Sequence, residues 1–290
     1  FIAYYPILLA LISAFGNTIN SLLSAWSTKS GTFNSTVCVV YSIIPSFIIC
    51  LVFAILSDHE ISLGIFALLC LKNVLYGSGF YLRLRGIEHL GAFNGALMAA
   101  SQPVLISVMS LIILSEELGT VQWVSIGAVF AAIFLPVRGS AVTLKDLMYY
   151  VAIPTFLFSG TVIFDRYLLT THLEPTNFFV WDKISVLPAV LLSLLFAGKL
   201  RNTDFSPVKI FSSKKASFII ILMGLSWGIA SYTYAVALSG EKAAIITLVR
   251  NLAFPLTAII GGFIFREAIR TSQYLSLAIV VGAIFCGTLL

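Results

Sequence analysis

The chain has 290 residues, of which 59% are hydrophobic and only 10% charged, and its mean hydropathy is +1.03. A soluble domain carries about 25% charged residues, so a water-facing fold of this length could not cover its own surface. The formal net charge of +5 comes from basic residues scattered through short loops with no basic face, which argues against a nucleic-acid partner and for membrane lipid.

The apolar runs have the length of about 20 residues that a hydrocarbon core of about 30 Å demands. Ten membrane helices are predicted, near 4–24, 36–56, 62–84, 91–114, 119–138, 148–169, 176–197, 217–238, 243–265 and 271–290. The chain enters a hydrophobic segment at once and keeps adding others, a pattern unlike a cleaved signal peptide. The basic stretch 198–216, with Pro207, reads as a solvated loop.

In the first segment Ser13, Asn17, Asn20 and Ser24 follow spacings of four, three and four. Such a polar stripe faces the bundle interior, where it serves interhelical hydrogen bonds or a ligand equally well. In the third, Lys72, Tyr76, Gly79 and Arg83 share one helical face, with Asn73 beside it. An ionisable group at the bilayer centre costs about 2.5–3.5 kcal/mol on insertion scales, so Lys72 needs a partner or a wet cavity unless it snorkels to the interface.

The fourth segment carries a milder polar face, Asn94, Met98 and Ser101, with Gln102 adjacent. In the sixth, Asp165 is a candidate for proton coupling, although its neighbour Arg166 offers to neutralise it. The seventh presents Asn177, Trp181 and Ser185 on one face, and the eighth Trp227, Ser231 and Tyr234. Aromatic groups beside a few polar ones are what small-molecule pockets use. In the ninth, Arg250 is followed by Asn251 and shares a face with Thr247 and Phe254. A cation near a proline-broken helix suits a carboxylate or phosphate; a salt bridge to Asp165 or Asp182 is the competing reading. Pro103 and Pro255 are expected to kink their helices and to shape or gate a pathway.

Cys38, Cys50, Cys70 and Cys286 show no CxxC spacing and no histidine at ligand distance, so neither a disulfide nor a metal is expected. No HExxH, GxSxG or clustered carboxylates suggest an enzyme, and no cofactor is expected.

The sequence also repeats itself. Ser115-Glu116 is followed by Gln122-Trp123 and Ala132-Ile133-Phe134, and Arg266-Glu267 by Gln273-Tyr274 and Ala283-Ile284-Phe285 in the same register. Upstream, Tyr76-Gly77 and Tyr81 correspond to Trp227-Gly228 and Tyr232, and Pro103 to Pro255. This divides the chain into a first five-helix unit over 1–138, a connector at 139–147 and a second unit over 148–290. Five is odd, so two such units enter the membrane in opposite orientations. Inverted repeats of this kind build transporters whose site lies between the halves.

The stretch Gly86-Ile87-Glu88-His89-Leu90-Gly91-Ala92, with Asn94, Ala96-Leu97, Pro103 and Glu116, resembles the signature of EamA-type members of the drug/metabolite transporter superfamily. Tyr232, Ala237-Leu238, Ala243-Ala244, Pro255 and Glu267 form its counterpart in the second half. The resemblance implies a ten-helix carrier for small organic solutes, working without ATP. Helices one, three, four, six, eight and nine would line the cavity, and five and ten would form the scaffold. Arg83 and Arg85 are an unusual basic pair for such a chain.

The expectation is therefore an all-α, multi-pass protein of the inner or plasma membrane, plausibly monomeric. It would carry an anionic or zwitterionic metabolite by alternating access, with Lys72 and Arg250 attracting the negative group. A lipid or lipid-linked headgroup translocase is the alternative. Glu116 and Glu267 read as charges stabilising the helix that follows each of them. Lys and Arg concentrate in the odd-numbered connections, which would put both termini outside, whereas the resemblance implies cytoplasmic termini.

Overall fold

A computed structural model of the chain describes residues 5–30, 33, 35–56, 60–90, 102–134, 143–196, 213–266 and 271–289. The described residues contain helices and no strand. In chain order these are α1 (Tyr5–Lys29), α2 (Ser35–Leu56), α3 (Leu63–Leu90), α4 (Gln102–Leu114) and α5 (Thr120–Phe134). A short turn of helix, Leu144–Leu147, and a π-helical stretch, Met148–Ala152, lead into α6 (Ile153–Thr171). Then follow α7 (Pro175–Phe196), α8 (Lys214–Gly240), α9 (Ala243–Arg250), α10 (Ala253–Ile264) and α11 (Thr271–Leu289).

Among the described residues seven stretches are long and apolar enough to cross a bilayer: α1, α2, α3, α6 with its π-helical lead, α7, α8, and α9 with α10 taken together. Helices α4, α5 and α11 are apolar but shorter over the described residues. Asn94, Met98, Ser101, Pro207 and Glu267 lie outside the described residues, as do residues 139–142 of the 139–147 connector.

The ninth predicted helix departs from expectation by being two helices, α9 and α10, separated at Asn251-Leu252. Pro255 is the cause: it has no N–H, and in a continuous helix its ring would strike the carbonyl four residues back, that of Asn251. In the break that carbonyl instead accepts from the Phe254 N–H at 3.0 Å. Pro103, by contrast, stands at the second position of α4, where a missing N–H costs no intrahelical bond.

The polarity of the bundle is the reverse of a soluble protein's. Ile55, Leu56, Leu63, Ile112 and Phe263 are all more than 70% exposed, while Ser13, Lys72, Asn73, Asp182 and Lys183 are buried. Hydrocarbon is the solvent for the outer face, and polar groups are kept inside where protein can satisfy them.

Between helices in lipid, close approach and hydrogen bonds supply the adhesion that apolar burial supplies in water. Along the α1–α8 seam Ser13 donates to the Ala230 carbonyl at 2.7 Å and Asn20 to that of Met223 at 2.9 Å. A Cβ on Gly16 would stand 2.8 Å from the Ser226 carbonyl oxygen, so the seam requires glycine there. Other principal contacts join α3 to α6 and α7, α2 to α7 and α8, α4 to α6 and α9, and α5 to α11. Ser115 (φ 54°) and Arg266 (φ 52°), the residues aligned by the sequence repeat, are the non-glycine residues in left-handed backbone among those described. Each lies just past the end of a helix.

Candidate functional site: a charged central cavity

At the centre of the bundle a cavity encloses about 940 Å³ of atom-free space, its open mouth included. The wall comes from α1, α3, α4, α6, α7, α8 and the α9–α10 break. Helices α5 and α11 pack on one another, and none of their described side chains lines it. The α3 face predicted from spacing is realised, since Lys72, Tyr76 and Arg83 all reach the cavity, as do Asn17, Asn20, Gln102, Trp227, Ser231, Tyr234, Arg250 and Asn251.

Lys72 does not snorkel. It is 3% exposed, and its ammonium donates to Asp165 Oδ1 at 2.8 Å and to Asp182 Oδ1. Asp182 also accepts from Asn73 at 3.0 Å on the same oxygen and from Lys183 at 2.8 Å on the other. Asn73 is held in turn against Ser185 at 2.8 Å. The result is two ammonium groups facing two carboxylates, cross-linking α3, α6 and α7. Each ion loses hydration on burial, and only such dense mutual bonding makes the arrangement tolerable.

An aromatic group adjoins this cluster. Lys183 lies 3.7 Å from the Trp227 ring centroid, a cation–π contact. The Trp227 indole N–H donates to the Tyr76 hydroxyl at 3.1 Å, and Phe158 meets the Tyr76 ring edge-on, centroids 5.6 Å apart. Tyr76 and Trp227, which the sequence comparison of the two stretches aligned, thus touch in the cavity wall.

The two arginines have a different environment. Arg83 stacks over Phe254 with Cζ 4.8 Å from the centroid and donates to Ser21 at 3.2 Å. Arg250 stacks over Tyr234 at 4.1 Å. Among the described residues neither has a carboxylate within 4.0 Å. The salt bridge considered for Arg250 does not form, because Asp165 and Asp182 are both taken by Lys72.

Three further expectations change. Trp181 does not line the cavity; it packs edge-on against Phe66 at 5.9 Å. Arg166 does not neutralise Asp165 but reaches Glu116, Nε to Oε1, at 3.0 Å. Glu116 stabilises a helix other than its own: its carboxylate accepts the Ala243 N–H at 3.0 Å, at the positive end of α9. Arg166 also donates to the Leu238 carbonyl, and Lys242 to that of Glu117 at 2.6 Å. This clasp ties the end of α4 to α6, α8 and α9.

Sequence reasoning missed Lys183 and gave Asp182 only a partner's role. Their signal was present, because two adjacent opposite charges inside an apolar span are expensive and require a shared partner. Among the described residues no group of three or more His, Cys, Asp or Glu is placed to hold a metal.

The model of the EamA-like transporter family matches residues 5–138. A comparison with curated proteins gave no match. Among solved structures, one crystal structure superposes with a TM-score of 0.69 at 14% identity, covering 97% of this chain and 96% of its own. That likeness shows a shared fold.

Proposed function

We propose that the chain, whose residues 5–138 match the EamA-like transporter family of the drug/metabolite transporter superfamily, is a secondary carrier of a small organic metabolite bearing a negative group, with the cavity as its binding site. The central observation is a polar, charged cavity enclosed by helices of both halves inside an apolar exterior.

The finer architecture proposed is ten crossings in two inverted repeats, 1–138 and 148–290. Three observations support it. Packing is reciprocal under exchange of the halves: α1 on α8 mirrors α6 on α3, and α2 on α8 mirrors α7 on α3. Left-handed residues recur at Ser115 and Arg266. Tyr76 and Trp227 meet each other, as residues beside a two-fold axis do. Rocking of one half against the other around such a site is the transport cycle this architecture suits, in a plasma or inner membrane.

Arg83 and Arg250 are assigned the attraction of the negative group, and Lys72 the role of internal counter-ion. Proteoliposomes test the carrier reading. Purified protein should exchange labelled organic acids or amino acids across the bilayer, and empty liposomes should not. Identical flux with and without protein for every solute class would remove the reading.

A further inference from the structure

The cavity wall has two unequal poles, and their charges narrow the substrate class. Four cationic side chains, Lys72, Arg83, Lys183 and Arg250, face two carboxylates, Asp165 and Asp182. Both carboxylates are bonded to lysine, and Asp182 has both oxygens engaged. The lysine pole is therefore balanced within itself. Two positive charges remain, both on guanidinium groups.

Those guanidiniums are held without spending their donors. An aromatic ring lies against each, Phe254 for Arg83 and Tyr234 for Arg250, and among the described residues the one hydrogen bond that either guanidinium donates is that of Arg83 to Ser21. Asn251, which follows Arg250 at the helix break, has a buried side-chain amide nitrogen without a partner among the described residues. Its unused group is a donor, so what it calls for is an acceptor oxygen. An ammonium group arriving in the same cavity would compete with Lys72 and Lys183 for two carboxylates, of whose oxygens Asp165 Oδ2 alone has no partner among the described residues, and would find a Trp227 face that already carries Lys183.

We propose that the substrate is a soluble organic anion without an ammonium group, carrying up to two negative charges as carboxylate or phosphate, whose oxygens are taken by Arg83, Arg250 and Asn251. This rests on the carrier reading and narrows it: anions are favoured and zwitterions excluded. The planar fork of arginine suits both carboxylate and phosphate oxygens in a bidentate manner. The aromatic walls leave room for a short carbon skeleton.

The test uses the purified full chain in detergent and then in proteoliposomes. Thermal unfolding is followed with succinate, glycerol 3-phosphate, lactate, alanine, or mixed micelles containing phosphatidylglycerol. A ligand that binds only the folded state raises the midpoint. Succinate or glycerol 3-phosphate should raise it most, lactate less and alanine not at all. Arg83→Gln and Arg250→Gln should each weaken dianion binding at least tenfold. Arg83→Lys and Arg250→Lys, which keep the charge, should weaken it less and show that the site is folded.

Stabilisation by alanine equal to that by succinate would overturn the proposal, as would no response to either dianion at millimolar concentration, or a response that survives both glutamine variants. Proteoliposome flux separates the two levels of failure. Transport of alanine without succinate refutes the substrate class and leaves the carrier standing. Movement of phosphatidylglycerol with no soluble solute refutes the carrier itself.

Discussion

The lysines and the arginines of the cavity are the same kind of charge under opposite management. Lys72 and Lys183 sit where α3, α6 and α7 converge and are bonded to carboxylates, whereas Arg83, about 16 Å further along α3 at 1.5 Å per residue, and Arg250 lie against aromatic rings with no carboxylate within 4.0 Å among the described residues. The difference separates structure from function. A buried charge with its counter-ion is part of the scaffold, and a buried charge without one is poised for a ligand that supplies the counter-ion.

The comparison breaks most visibly at Asp182. Its two oxygens hold Lys72, Lys183 and Asn73, and its side chain is 8% exposed. Asp182→Asn should leave Lys183 without a counter-ion and Lys72 with one carboxylate in place of two, costing on the order of 3–5 kcal/mol, the usual result of removing one member of a buried pair. Thermal unfolding in detergent measures it. A midpoint within a degree of the parent's would mean that the cluster contributes nothing to the fold.

Arg250→Gln should do the reverse. Removing an uncompensated cation from the interior relieves a burial cost, so the ligand-free midpoint should hold or rise. Binding of an anion should nevertheless fall tenfold or more, about 1.4 kcal/mol or beyond. Unfolding and binding must be read on the same preparation. A large drop in the ligand-free midpoint would place Arg250 with the scaffold and erase the distinction between the poles.

Much of this cavity was legible in the sequence, and what escaped did so for a definite reason. Helical periodicity put Lys72, Tyr76 and Arg83 on one face, and that face lines the cavity. The repeat aligned Tyr76 with Trp227, which touch. Periodicity names a face but not its partner. On α7 the face chosen ran through Trp181 and Ser185, yet Ser185 bonds Asn73 while Trp181 turns aside to Phe66. The residue one step on, Asp182, points at Lys72. A step of about 100° around the helix, set by the closeness of α3 and α7, was beyond what spacing alone conveys. That closeness depends on Gly77, where a Cβ would stand 2.6 Å from Val190.

Glu116 teaches the same lesson over a longer range. Nearby sequence suggested that it served its own helix, but its carboxylate caps α9 and pairs with Arg166. Side chains in the pair are 10% and 16% exposed, so Glu116→Gln should cost about 1–2 kcal/mol, less than Asp182→Asn, because the amide still accepts hydrogen bonds while losing the charge. The ligand-free midpoint reads the stability. If the clasp closes one end of the cavity, the variant should also exchange a bound anion faster, and unchanged exchange would restrict Glu116 to a capping role.

The smallest effect is expected where an acid meets water. Asp146 precedes α6, accepts the Thr143 hydroxyl at 2.7 Å and the Thr143 N–H at 3.1 Å, and returns its own N–H to Thr143 Oγ1 at 3.2 Å. This is a reciprocal cap of the kind that starts helices. The hydrogen bonds from Thr143 hold its carboxyl below the ordinary carboxylate range, with lesser help from His89 and Lys145. A depressed folded-state value stabilises above the unfolded value of about 3.9, and that contribution is lost as pH falls through the folded value. Asp146→Asn should therefore lower the midpoint slightly at neutral pH, and the gap between variant and parent should close on acidification below about pH 4. A gap of the size expected for Asp182→Asn, or one that widens in acid, would contradict the idea that ionic contacts in this protein matter in proportion to their removal from solvent.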